Sequence, residues 1–253
     1  MLTDAGALLL ALITLRLVRR PAAGNLTFGL RRMDVLSAQA NGATLLVLGL
    51  LLVYGGIRHL ISPPSPNGTV MLVVALVGVV VNVVATQQLA RANRSSLNVE
   101  GAFQHLLTDL FAFLLTAVAG IVIITTGWAR ADAVAALVVA AVMLRSAVSL
   151  LRASGRVLLE IAPAQVEVDE IGRTMAAHTG VVEVHDLHVW EIGSGFAALS
   201  AHVLVDPAAD CHGIRRELEA LLRERFGIDH TTLQVDHAQA GRLLQIGDSH
   251  AQH

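Results

Sequence analysis

The sequence predicts a polytopic α-helical membrane domain followed by a small soluble α+β domain, on three observations. The composition is 54% hydrophobic and 15% charged, with a mean hydropathy of +0.63, well above an ordinary soluble domain. Four long apolar runs follow one another at 35–59, 69–92, 97–126 and 130–153, each of the roughly twenty residues needed to cross a hydrocarbon core. Beyond residue 160 carboxylates, Arg and His become frequent and no spanning run remains. The expected boundaries are a transmembrane domain over 1–160, a soluble domain over 161–240, large enough to hold its own core, and a disordered tail over 241–253.

A fifth apolar run, residues 2–18, opens the chain. Its early Asp4 does not suit a signal peptide, which carries a basic leading region and a small-residue cleavage site. Arg placement orients the helices. The loop after the first run carries Arg16, Arg19, Arg20, Arg31 and Arg32, the third loop Arg91 and Arg94, and the exit from the last run Arg152 and Arg156. The opposite side has Arg58 and Arg130. The positive-inside rule places the Arg-rich loops and the soluble domain in the cytoplasm of a cell (inner or plasma) membrane. Five helices then leave the N-terminus outside, so a further helix is expected ahead of residue 1.

The soluble part reads helix, strand, strand, helix, strand. Residues 165–178 have helical periodicity, 181–192 and 196–205 alternate around Gly193-Ser194-Gly195, 211–226 form a second helix ended by Gly227, and 231–236 form a last strand. Two helices on one face of a small sheet give a ferredoxin-like layer.

Composition also excludes. A net charge of −2 speaks against nucleic acid as partner. All 18 basic residues are Arg. One cysteine, Cys211, allows neither an intrachain disulfide nor a cysteine-based zinc cluster. The enzyme motifs His-Glu-x-x-His, the nucleophile elbow and the phosphate loop are absent, so an enzyme is not expected.

The chemistry concentrates in the third long run. His105 and Asp109 stand four apart inside the apolar stretch 102–124, on one helix face. Ionisable groups at such depth are costly and mark ion pathways or proton relays. Asp4 offers a third ligand from another helix near the same depth. Imidazole nitrogen and carboxylate oxygen suit tetrahedral zinc, and two carboxylates would offset the ion's charge where the medium cannot solvate it. A lone buried His105–Asp109 ion pair bracing two helices is the alternative reading.

The run Ser96 to Asp109, Ser-Leu-Asn-Val-Glu-Gly-Ala-Phe-Gln-His-Leu-Leu-Thr-Asp, resembles the fifth transmembrane helix of the cation diffusion facilitator family of proton-coupled zinc exporters. Met1 to Ala7 resembles the back half of that family's second-helix signature, and Thr27 to Leu36 its loop into the third helix. The segments from His185 to Trp190, Leu199 to Val203 and Thr232 to Asp236 are similar to its cytoplasmic domain. On this resemblance the family has six spanning helices where five are visible here. Asp4 matches the later of two second-helix ligands, and the chain is expected to be truncated at its N-terminus.

The resemblance implies a proton-coupled antiporter that exports zinc, or a related divalent ion such as Co2+, Cd2+ or Fe2+, through a site of Asp4, His105 and Asp109. It implies a homodimer embedded in membrane lipid, with a cytoplasmic metal site of His185, His202 and Asp236. Gln234 stands where some members have His, and His188, His230 and His237 are nearby alternatives. The competing reading is a truncated, non-transporting, membrane-anchored metal sensor.

Overall fold

The computed structural model describes residues 2–64, 67–90 and 97–238, so the tail expected over 241–253 lies outside it. Two compact units form, the first of Met1–Leu159 with Ile192–Gly195 and the second of Glu160–Glu191 with the chain from Phe196 onward.

The first unit holds five helices: α1 (Leu2–Val18), α2 (Met33–Ile61), α3 (Gly68–Ala90), α4 (Leu97–Thr126) and α5 (Ala131–Leu158). Among the described residues four of them, α2 to α5, are long and apolar enough to cross a membrane. The fifth expected helix, α1, is present with 17 residues, a rise of about 25 Å that lies at the lower end of the roughly 17–25 residues of a spanning helix. The other helices agree with the apolar runs to within a few residues at either end. The exception is α5, which continues to Leu158 because its Ser, Gly and Arg residues after 152 do not break a helix. Outward positions are apolar, with Val80 64%, Val70 58% and Val118 56% exposed, as lipid-facing surfaces require.

Small residues set the helix packing. In α2, Gly42, Gly49 and Gly56 recur every seven residues and face Leu151, Leu144 and Leu137 of antiparallel α5. A Cβ added at Gly49 would lie 2.8 Å from Leu144 Cδ2. The leucines therefore seat directly on glycine backbone, and such close approach is how helices gain contact in lipid, where water gives no drive to associate. Ser154, fully buried, donates to Gln39 across the same seam. The α3–α4 pair repeats the device, with Phe113 over Gly78 and Gly68 against Gly120. Helix α4 packs against each of α1, α2, α3 and α5, so a residue on it can be enclosed on several sides.

The second unit contains α6 (Val168–Ala176), β1 (Val181–Gly193), β2 (Phe196–Val205), α7 (Cys211–Phe226) and β3 (His230–His237). The sheet order is β1-β2-β3. Strands β2 and β3 are parallel, pairing His202 with Gln234 and Leu204 with Asp236. Helix α6 is shorter than its periodicity suggested because residues 164–166 turn instead, the Val166 amide donating to the Pro163 carbonyl. Ile171 and Met175 of α6 and Ile214, Leu218 and Leu222 of α7 join Val189, Leu199, Ala201, Val203 and Val205 in one core. Both helices thus cover the same sheet face and leave the other open, in agreement with the ferredoxin-like layer. Arg225 bridges α7 to Glu170 of α6 at 2.8 Å. Asp210 caps α7, accepting from the His212 and Gly213 amides at 3.1 and 3.0 Å. The Gly213 amide is the main reason its carboxyl is held below the ordinary 3.8, helped by His212 and Arg216.

Candidate metal centres

The first centre is on α4. His105 Nε2 stands 3.5 Å from Asp109 Oδ2, with side chains 4% and 14% exposed. That gap exceeds the 2.7–2.9 Å of a charge-assisted hydrogen bond. It matches instead the separation of about 3.3–3.6 Å between two ligands held by one tetrahedral zinc. The helix arranges this by itself, since residues four apart share a face. His105 lies about 12 Å along α4 from Leu97. On the adjoining face Thr108, buried, donates to the Gln104 carbonyl at 2.8 Å, and the Gln104 amide donates to Glu100 Oε1 at 3.1 Å. Polar groups therefore accompany the pair toward the Arg-rich side. Asp4 belongs to α1, which packs against α4. Its side chain lies outside the described residues.

The second centre is on the open face of the sheet. His185, Asp186 and His202 each offer a ligand atom within 4.8 Å of the others. The two imidazole centroids are 5.3 Å apart with planes at 62°. A β-bulge produces the cluster. Val184 and Leu187 both pack against the core, and Asp186 between them takes a left-handed φ of +50°, a conformation Asp tolerates better than most residues. Two consecutive side chains, His185 and Asp186, consequently leave the core face together and meet His202 of β2.

His185 Nδ1 is shielded from solvent without a hydrogen-bond partner among the described residues, and its acid neighbour Glu183 stands 3.5 Å away. A buried imidazole nitrogen left so is costly, and a bound cation would relieve the cost. Two imidazoles and a carboxylate suit zinc, and a small rotamer adjustment closes 4.8 Å to the ligand separation of about 3.3–3.6 Å.

The residues expected from the sequence are thus partly gathered. His185 and His202 come together. Asp236 is exposed on β3, accepts from Gln234 at 2.8 Å and is not in the cluster. Of the alternatives, His237 meets the Ala209 carbonyl at 3.0 Å, His230 lies 5.7 Å from the Phe196 ring, and His188 is exposed beside a hollow lined by Glu160, Trp190 and Ser200. Asp186 was not anticipated. The signal was present, because two polar residues between apolar Val184 and Leu187 break a period of two.

A membrane bundle with a buried His–Asp pair, joined to a domain with an open-faced His–Asp–His cluster, defines a divalent-cation protein of the membrane. Residues 1–159 match the family model described as the cation efflux transmembrane domain, and residues 163–238 the one described as the cation efflux protein cytoplasmic domain. The chain belongs to the cation efflux, or cation diffusion facilitator, family. It is 35% identical over 241 residues to the cadmium, cobalt and zinc/H(+)-K(+) antiporter of Bacillus subtilis (strain 168), covering 93% of this chain and 77% of that protein. The metal cation efflux system protein CzcD of Cupriavidus metallidurans is 36% identical over 237 residues, covering 93% and 75%. The zinc transporter ZitB of Shigella flexneri is 34% identical over 244 residues, covering 96% and 78%. The chain is accordingly a membrane protein whose C-terminal domain is cytoplasmic.

Proposed function

We propose that the chain exports zinc or a related divalent cation from the cytoplasm in exchange for protons. The observation that carries this is the His105–Asp109 pair, buried in a spanning helix at the ligand separation of zinc. Relatives named as cadmium, cobalt and zinc antiporters and as zinc transporters support it over both domains. They do not favour the membrane-anchored sensor.

The chemistry couples the two ions. Cation binding requires neutral imidazole at His105 and ionised carboxylate at Asp109, so loading releases protons, and protons arriving from the far side expel the cation. Asp4 is proposed as a further ligand from α1. An ion or protons in the site, preferring different helix arrangements, would bias which side is open. His185, Asp186 and His202 are proposed to bind regulatory metal in the cytoplasmic domain, with Asp236 as an outlying carboxylate, and that domain to join two copies into a homodimer.

The test is zinc flux into vesicles holding the full chain under a pH gradient. Wild type is expected to move zinc in proportion to the gradient, and Asp109→Asn and His105→Ala to stop it. Undiminished flux in either variant overturns the proposal.

A further inference from the structure

Arg145 is an ionisable residue that the transport reading leaves unexplained. It sits inside α5, among residues that are long and apolar enough to cross a membrane. Packing fixes its depth. Gly101 of α4 abuts Leu150, and Gly49 of α2 abuts Leu144. In antiparallel helices this sets Arg145 near the level of His105, at about the middle of α2. Yet its side chain is exposed on the outside of the bundle. Among the described residues it has neither an ion pair nor a hydrogen bond. An Arg at such depth is rare and is normally answered by a counter-charge.

Further exposed polar residues continue its face toward the cytoplasm. Ser149 follows one turn later and Arg152 two turns later, with Arg156 extending the stripe. Leu144, Arg145, Val148, Ser149 and Arg152 line a hollow of about 510 Å³. The guanidiniums of Arg145 and Arg152 start about 10 Å apart along the helix, close enough for both to reach one anion at the level of Ser149.

We infer that this hollow binds the phosphate of an anionic phospholipid from the cytoplasmic leaflet, held by Arg145 and Arg152 with the Ser149 hydroxyl as a third donor. The charge of the stripe and its place select that occupant. A second copy of the chain offers little to match it. Among the described side chains the acids of the membrane unit are Asp34, which is buried, Glu100 and Asp109, which are partly enclosed, and Asp132 at the far end of α5. A lipid phosphate brings the missing negative charge and leaves its acyl chains on Leu144 and Val148. Local thinning of the bilayer and snorkelling of Arg145 bring the two partners to one level.

The full chain is released from micelles with equal mole fractions of phosphatidylglycerol and phosphatidylcholine, and retained lipids are counted by native mass spectrometry. Wild type should prefer phosphatidylglycerol. Arg145→Gln should cut that preference by about fivefold, the share of one arginine near an anionic surface. Arg145→Lys should keep most of it, and Arg173→Gln, with the same charge loss on α6, should leave it intact. If Arg145→Gln does not insert, Ser149→Asp replaces it and should abolish the preference by placing a carboxylate between the guanidiniums. An unchanged preference in Arg145→Gln or in Ser149→Asp overturns the inference. So does loss of the preference when millimolar inorganic phosphate is added, which would mark a free-anion site.

Discussion

The membrane unit and the cytoplasmic unit reach similar donor sets by opposite routes. In α4 the donors His105 and Asp109 are neighbours because a helix repeats every 3.6 residues, and nothing irregular is needed. In β1 the donors His185 and Asp186 share a face only because Asp186 turns left-handed and interrupts the strand. Packing differs in parallel. The membrane unit joins helices through glycine beneath leucine, whereas the cytoplasmic unit fills its centre with Leu218, Leu222, Ile171 and Met175. The solvent is the reason. In lipid, association depends on close contact, while in water the removal of apolar area suffices.

The sharpest way to break the comparison is to disable one centre and read the other. Asp109→Asn should lower zinc flux by more than the roughly 10–100-fold that loss of an outer-shell partner costs a metal site. Zinc binding at the cytoplasmic cluster, measured by calorimetry on the full chain, should persist. Loss of both functions together would mean that the centres are one unit.

Packing gives the next effect. Gly49→Leu forces a side chain against Leu144 and should destabilise the bundle by about 2 kcal/mol, the usual cost of overpacking. The expected reading is a lower thermal midpoint in detergent, with the cytoplasmic transition unmoved. A variant as stable as wild type would show that the α2–α5 seam is loose.

A smaller effect separates the two carboxylates of the cytoplasmic face. Asp186→Asn keeps a neutral carbonyl oxygen as donor at an exposed position, so it should weaken zinc binding only about tenfold, no more than the loss of an outer-shell partner, and Asp236→Asn should weaken it less. The reverse order would return the third ligand to β3.

The smallest effect is a pH dependence. The Asp210 carboxyl is depressed in the folded state, chiefly by the Gly213 amide. Its stabilisation of α7 is therefore complete above the unfolded value of 3.8 and is lost as pH falls through the lower folded value. Asp210→Asn keeps the cap without the titration. In a Trp128→Phe background, with Trp190 fluorescence as the probe, wild type should lose stability below pH 3.8 more steeply than Asp210→Asn. Parallel curves would remove the cap from the acid response.

Much of this was legible because it is periodic. Helices α1 and α4 run from 2 to 18 and from 97 to 126, as their apolar runs predict, and β2 and α7 begin and end where alternation and Gly227 place them. The His105–Asp109 spacing is equally local. What stayed hidden was non-local or irregular. No spacing rule announces that the leucines of α5 will rest on the glycines of α2, or that Arg145 will stand at the depth of His105.

The order of elements, the membrane-spanning character of the first domain and the helix-face pairing of one imidazole with one carboxylate are consequences of the sequence alone, because each depends on hydrophobicity and repeat within a single segment. Only the tertiary structure decided that Asp186 joins His185 and His202 while Asp236 turns to Gln234, and that Arg145 faces outward. Those outcomes depend on which backbone bends and which helices touch, and these are settled by packing between segments far apart in the chain.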